Sequence, residues 1–286
     1  MSGALQKILR QALRDALCQV SSVAPVSGGC INHAQKVTLT NGQTYFVKKN
    51  DCSLQPMFAA EAVGLRALQE TNSLPVPLPI GAGTLNESAY LVLEWIEPFS
   101  PTASSSAKLG RGLAELHQAK HQTPFGFEID NFIGNTPQNN GWQDNWVSFL
   151  INRRFEPQFT LAREKGYSLR SDRLLSQLEK LIDPQPQPSL IHGDLWSGNF
   201  MIGPGNQPYL IDPAPYWGDR EAEFGILTMF GGFDSTFFAA YEEAMPFADG
   251  FEDRLPLYQL YHYLNHLNLF GSSYLGSCES ILARYA

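Results

Sequence analysis

The sequence predicts an α+β fold in two lobes: a small antiparallel sheet with helices over residues 1–96, then a mostly helical lobe over residues 97–286. Three observations carry this. Before residue 97, apolar runs with period two are joined by turn residues, above all Asn41-Gly42, a strong hairpin signal. A Pro- and Ser-rich stretch, Pro98 to Ser106, then reads as a linker. Beyond it the long patterned stretches are helical, interrupted around residues 189–211 by two short apolar strands.

In chain order, residues 4–18 form an amphipathic helix, because apolar and charged residues alternate at helical spacing. Strands are expected at Val23 to Ile31, Ala34 to Thr40 and Gln43 to Lys49. A Ser27-Gly28-Gly29-Cys30 turn lies between the first two. A helix over Met57 to Glu70 carries Glu61 in its first half, and Val76-Pro77-Leu78-Pro79 breaks the chain after it. Ala89 to Ile96 reads as a buried strand. Helices are expected over Lys108 to Gln118, Asp144 to Glu164, Ser171 to Ile182, Glu221 to Phe230 and the last 50 residues. Ser189 to Ile191 and Pro208 to Ile211 are short strands on either side of a polar loop.

The chain has 286 residues with 43% hydrophobic content, enough for a substantial core. Its net charge of −8, from 20 basic and 28 acidic residues, argues against wrapping nucleic acid. No apolar run reaches membrane-spanning length, and the charged N-terminal helix lacks the apolar stretch of a signal peptide. Cys18, Cys30, Cys52 and Cys278 show no zinc or CxxC spacing, so a reduced cytoplasm is the expected compartment.

The chemistry is densest in HGDLWSGNFMIGPGNQPYLID, residues 192–212. Phosphoryl transfer from ATP needs a carboxylate to accept the proton of the attacking hydroxyl and oxygen ligands to hold Mg2+ against the phosphates. Asp194, Asn199 five residues on, and Asp212 after a Gly/Pro turn match the offsets of a kinase catalytic loop and its metal-binding Asp. Asx turns alone would not require all three at these offsets. Lys48 sits inside the apolar run FVKK, where an unpaired ammonium is costly. Glu61 on the next helix is its expected partner, and Lys49 faces the opposite side of the strand. Gly28, Gly29 and Cys30 read as a short flap whose amides approach phosphates, although a lone Gly-Gly is commonly just a hairpin. Glu94, Trp95 and Ile96, at the end of the last sheet strand, are where backbone groups would meet adenine. Trp196 and Trp217 flank the catalytic residues and are candidates for a substrate face. His262 and His266 have the i, i+4 spacing of metal ligands, but without an HExxH arrangement they read as lining a pocket or packing in the core.

The chain resembles the fructosamine kinases, the ketosamine 3-kinases related to aminoglycoside phosphotransferases. The resemblance runs from about residue 20 to residue 275, through SGGCIN, FVKKN, MFAAEAVGL, LVLEWIE, FGFEIDNFIGNTPQNNGWQDNW, LIHGDLWSGN, DPAPYWGDREAE, FGGF and LYQLYHYLNHLNLFG. It implies a bilobal protein-kinase-like fold, ATP and Mg2+. The implied reaction phosphorylates the 3-hydroxyl of a ketosamine, and breakdown of the product frees the amine. It places Lys48 and Glu61 as the ion pair, Asp194 as the base, and Asn199 and Asp212 as metal ligands. Where aminoglycoside kinases often carry Asp-Leu-Ala after the metal Asp, this chain has Glu223-Phe224-Gly225. Asp212 is followed within nine residues by the helix at Glu221, which leaves no room for a long activation segment and points to a small-molecule acceptor. Two other readings stay open. One is a kinase for an aminoglycoside, choline or sugar. The other is a non-catalytic nucleotide-binding redox sensor, suggested by Cys30 in the phosphate loop; in the kinase itself Cys30 is a candidate redox switch, the chain being a monomer or a homodimer linked by a Cys30 disulfide.

Overall fold

The computed structural model describes residues 2–26, 33–119, 124–182 and 185–285. Helix α1 (Ser2–Leu13) precedes strands β1 (Val20–Pro25), β2 (His33–Leu39) and β3 (Thr44–Asp51). Helix α2 (Gln55–Glu70) and the hairpin β4 (Pro79–Leu85) and β5 (Ser88–Glu94) complete an antiparallel sheet of order β1-β2-β3-β5-β4. Period-two alternation sends the two faces to different cores. Tyr45, Val47, Tyr90 and Val92 pack against Leu5, Ile8 and Leu9 of α1. Ala89, Leu91 and Leu93 pack with Phe58, Ala62, Leu65 and Leu68 of α2. Each aliphatic side chain buried this way contributes roughly 1.5–3 kcal/mol, so the sheet is held from both sides. Lys48 follows Phe46 by two residues and therefore lies on the α2 side, where Glu61 waits.

Several elements depart from expectation: α1 ends at Leu13, β6, β7 and β11 were not expected, and two further departures bear on the lobe boundary. The Pro-rich break after α2 leads directly into β4, which the sequence reading omitted. As an edge strand, β4 tolerates its proline and glycines because fewer of its amides are needed by the ladder. The linker also ends earlier than Ser106. Thr102 and Ser105 form a reciprocal capping box, and α3 (Ala103–Gln118) starts inside the Ser-rich stretch.

After α3 comes the hairpin β6 (Asn131–Ile133) and β7 (Thr136–Gln138), turned by Gly134 at φ 59°. The expected helix from Asp144 is α4 (Trp146–Phe149), a π-helical turn over Leu150–Phe155, and α5 (Glu156–Glu164), all continuous. Helix α6 (Asp172–Leu181) leads to β8 (Ser189–Ile191), β9 (Phe200–Gly203), β10 (Gln207–Leu210) and β11 (Tyr216–Gly218). Helices α7 (Glu223–Met229), α8 (Ser235–Ala244), α9 (Phe251–Phe270) and α10 (Leu275–Arg284) follow. The core of this region joins that of α2 directly: a Cβ on Gly64 would lie 2.8 Å from the Pro215 ring, and one on Gly112 would lie 2.4 Å from Leu74. No helix among the described residues is long and apolar enough to cross a membrane.

Candidate active site

Two nested strand pairs build the site. The inner pair is the hairpin β9–β10, with Phe200 opposite Leu210. Its turn, Pro204-Gly205-Asn206, holds Gly205 and Asn206 at positive φ. The outer pair is β8–β11, with Ile191 opposite Tyr216. Residues 192–199 and 211–215 are therefore the two segments between inner and outer pairs, and they must face each other. Ala214 N donates to His192 O at 2.9 Å, and Ile211 N donates to Asn199 O at 3.0 Å. Gly193, at φ 81°, permits this approach: a Cβ there would sit 2.1 Å from Ala214 O.

The side chains then converge. Asn199 Nδ2 donates to Asp194 O at 2.7 Å and to Asp194 Oδ2 at 3.1 Å. That orientation commits the amide nitrogen and leaves the amide oxygen for a cation. Asp212, at φ 54°, adopts a left-handed conformation uncommon for a residue with a side chain, a feature associated with functional positions. Its Oδ1 accepts from Lys48 Nζ at 2.6 Å, and Lys48 also donates to Glu61 Oε1 at 2.8 Å. The Lys48 pair expected from the apolar strand is thus a triad that joins β3, α2 and the turn after β10.

Burial alone would lower the Lys48 pKa, but Asp212 and Glu61 overcome it and hold the ammonium charged. Glu61 is pushed up to about 7, by burial first; Lys48 opposes that rise and Asp212 adds to it. Burial raises the Asp194 carboxyl well above the usual range, reinforced by Asp212 and Glu223 and opposed by the Asn199 hydrogen bond. His192 Nε2 lies 2.9 Å from Ile211 O, which can only accept, and its Nδ1 accepts from Asp194 N at 3.3 Å. Those partners assign a neutral ring protonated at Nε2, in keeping with a pKa lowered by burial.

Glu223 stands where the family resemblance implies structural support for the loop at His192–Asn199, with its bonding left open. It is fully buried, and its carboxylate accepts from His192 N at 2.5 Å and from Gly193 N at 3.1 Å. His117 Nε2 approaches it at 3.8 Å, and His117 Nδ1 pairs with Tyr241 Oη at 2.9 Å. The turn His192-Gly193-Asp194 therefore hangs from a carboxylate at the start of α7. A second support was unread. Asn131 Nδ2 donates to Pro215 O at 2.8 Å, and Gln138 links Asn131, Ala214 O and Tyr261. Arg154, buried in the π-helical turn, stacks over Tyr216 at 4.0 Å and donates to Asn139 O and Asn140 Oδ1. The signal was the run of amide side chains in NTPQNN, since buried amides must find hydrogen-bond partners.

The sheet ladder ends at Glu94, so the backbone groups of Trp95 and Ile96 lie outside it. Glu94 receives Leu78 N at 3.3 Å, while Trp95 turns outward against Lys36 and Glu97. Trp196 is exposed beside Asp194, whereas Trp217 is paired in β11 and packs against the core. His262 is buried in α9 with Nδ1 unpartnered, and His266 Nδ1 bonds to His262 O at 2.8 Å, so the two imidazoles do not converge on one point. Among the described residues no group of three or more His, Cys, Asp or Glu could hold a metal ion. The loop with Gly28, Gly29 and Cys30 lies outside the described residues. Of the other thiols, Cys18 and Cys278 are buried and Cys52 is exposed, all unpaired.

The arrangement is one that a phosphotransferase could use, and the comparisons give the family of the chain. The fructosamine kinase family model matches residues 1–286. A probable ketoamine kinase of Synechocystis sp. is 42% identical over 260 residues, which cover 90% of this chain and 88% of that protein. A chloroplastic protein-ribulosamine 3-kinase of Arabidopsis thaliana is 42% identical over 278 residues, covering 93% and 83%. A crystal structure from Haemophilus somnus, assigned as a fructosamine-3-kinase, superposes with a TM-score of 0.90 at 29% identity and covers 100% of this chain and 97% of that one. The choline kinase LicA of Streptococcus pneumoniae superposes at 0.64 with 18% identity over 98% of each chain, a likeness of fold alone. This chain belongs to the fructosamine kinase family and has the bilobal, protein-kinase-like α+β fold.

Proposed function

We propose that this chain transfers the γ-phosphoryl group of ATP to the 3-hydroxyl of a ketosamine, and that the 3-phosphate formed then breaks down to release the amine. The observation that carries the reading is the convergence of Lys48, Glu61 and Asp212 beside Asp194 and Asn199, in a chain of this family. Lys48, oriented by Glu61, pairs with the phosphate oxygens. The backbone at Glu94, Trp95 and Ile96 holds adenine, and the flap containing Gly28, Gly29 and Cys30 covers the phosphates. Asp194 orients the acceptor hydroxyl and takes its proton as the new O–P bond forms and ADP departs. Trp196 offers a ring to the sugar, and Trp217, His262 and His266 act from behind it. The lobes divide near residue 96.

The donor set fits a magnesium ion. Asn199 and Asp212 would hold it, with an amide oxygen and a carboxylate oxygen not engaged by Lys48. Few protein ligands are the rule for Mg2+, which keeps water and phosphate oxygens. When bound, the ion neutralises charge on the phosphates. The test is ATP consumption with fructosyl-lysine, ribulosyl-lysine and common aminoglycosides, with the phosphate located by mass spectrometry. Turnover confined to aminoglycosides, or phosphate on another hydroxyl, would overturn the assignment.

A further inference from the structure

From Trp196, the ring proposed to meet the sugar, a chain of ring contacts continues to aromatics that the phosphoryl-transfer centre does not use. Trp196, two residues after Asp194, is 39% exposed, and its ring stands edge-on to Phe230 at 6.2 Å. Phe230, 45% exposed, lies 5.1 Å from the His266 ring. His266 meets Phe270 at 5.4 Å and Tyr274 at 5.1 Å, and Phe270 is 63% exposed. Three separate parts of the chain thus contribute to one ridge: the catalytic turn, the loop after α7, and the end of α9. Their join is tight, since a Cβ on Gly232 would lie 2.3 Å from Ser197. The exposed large aromatics among the described residues are Phe99, Trp142, Trp196, Phe230 and Phe270, and three of them stand in this ridge. Scattered exposed rings need no explanation, but contiguous ones mark an interaction surface.

We propose that the ridge is the docking surface for the polypeptide that carries the ketosamine, and that it favours glycated lysines flanked by aromatic or aliphatic residues. This rests on the ketosamine reading above. The reacting hydroxyl must lie at Asp194, so the remainder of the acceptor leaves across the surface beside the catalytic turn. The ridge begins there and continues for ring-to-ring steps of 6.2, 5.1 and 5.4 Å. Each step exceeds the roughly 3.3 Å that one extended residue spans, so the ridge has room for several residues beyond the sugar. A sugar on a small amine would leave Phe270 bare. The glycated lysine side chain would cross the inner rings and bring its sequence neighbours onto the outer ones. Aromatic rings suit this task because they present large rigid area with little conformational entropy to lose.

The experiment compares three acceptors: free glycated lysine, a peptide with the glycated lysine between Leu and Phe, and the same peptide with both flanking residues replaced by Ser. Wild-type kcat/KM is expected to favour the apolar peptide over the Ser peptide by about tenfold, the scale of one or two partly buried apolar side chains. Phe270→Ser should bring the two peptides close to parity while free glycated lysine, which reports an intact fold and centre, turns over as before. Phe270→Tyr should keep the preference. Equal kcat/KM for both peptides in wild type, or a preference that survives Phe270→Ser, overturns the inference and leaves the ketosamine reading standing. A wild-type dimer by light scattering that Phe270→Ser converts to monomer would assign the ridge to a second copy of this chain instead. Failure of all three acceptors to consume ATP would remove the ketosamine reading and this inference together.

Discussion

Replacing Glu223 tests whether the catalytic turn is positioned from below. Its carboxylate is fully buried and holds the amides of both His192 and Gly193, the residues immediately before Asp194. Glu223→Ala would strip both amides of their acceptor. A buried donor left unpaired costs about 1–3 kcal/mol, and the pair, together with the vacated volume, brings the expected loss to roughly 3–6 kcal/mol. That is a large fraction of the total stability of a typical domain. Glu223→Gln is the more informative variant. It keeps the shape and one acceptor oxygen but presents an NH2 group to the second amide. The expected cost is about 2 kcal/mol, the loss of one hydrogen bond to a charged group. Released on one side, the turn shifts Asp194, and a displacement of about 1 Å typically costs on the order of 100-fold in rate. Urea unfolding gives the stability change and a coupled ADP assay gives kcat with the ketosamine. Nucleotide affinity should change far less than kcat, because Lys48 and Glu61 do not depend on this turn. If Glu223→Gln matched wild type in both urea midpoint and kcat, the turn would be held by the strand pairs alone and the reasoning would fail.

Asp194→Asn should lower turnover by about 10²–10⁴ while ATP still binds, since only the proton acceptor is removed; retention of more than a tenth of the wild-type rate would argue against the assignment. Asp212→Ala should abolish the preference for MgATP over metal-free ATP, measured by calorimetry. Metal-free binding should not weaken, because the lost carboxylate also opposed the phosphates. His262 adds a pH dependence to stability. Burial first, then the neighbouring His266 and Arg154 charges, lowers its pKa to about 3, far below its unfolded value near 6.5. The unfolded chain therefore binds the extra proton between pH 6.5 and 3. Stability from this group is complete above pH 6.5 and declines by about 1.4 kcal/mol per unit as the pH falls through that window. His262→Gln should flatten the urea midpoint against pH by about one proton; an unchanged slope would show that the ring is solvated.

Much of this site was legible because its chemistry depends on offsets along the chain. Asp194, Asn199 and Asp212 could be read together because a short hairpin with a Gly-Asn turn has few ways to fold, and it returns residue 211 beside residue 199. Lys48 was legible because strand alternation puts it on a buried face, where it needs a partner. The amphipathic α1 followed from its pattern. Missed elements share another character. Strand β4 is written in Pro and Gly, which local propensity reads as a break, and only its place at the sheet edge allows it. The β6–β7 hairpin carried a signal in Gly134-Asn135, a dipeptide suited to a two-residue turn, that went unused. The supporting role of Glu223 was implied by the resemblance, but its bonds could not be read because its partners are backbone amides thirty residues away, and backbone leaves no mark in a sequence. The aromatic ridge is similar: Trp196 was legible as a candidate substrate face, but Phe230 and Phe270 come from distant segments and nothing in the sequence joins them to it.

On the proposed reading, the charges around the site favour arrival of the nucleotide together with a cation. Glu61, Asp194, Asp212 and Glu223 stand close enough that Asp212 raises both Glu61 and Asp194, and Glu223 raises Asp194 further. Lys48 is the cation bonded within this group, and it already serves two carboxylates. A bare triphosphate would have to draw Lys48 from Asp212 while adding its own negative charge beside the carboxylate that Lys48 had neutralised. A cation held by Asp212 and Asn199 would remove both penalties, since it replaces Lys48 at Asp212 and frees the ammonium to face phosphate oxygens. The same arithmetic bears on Asp194. Burial is the main cause of its raised pKa and Asp212 adds to it, so positive charge gathered at Asp212 would oppose the Asp212 share of that rise and favour the ionised form.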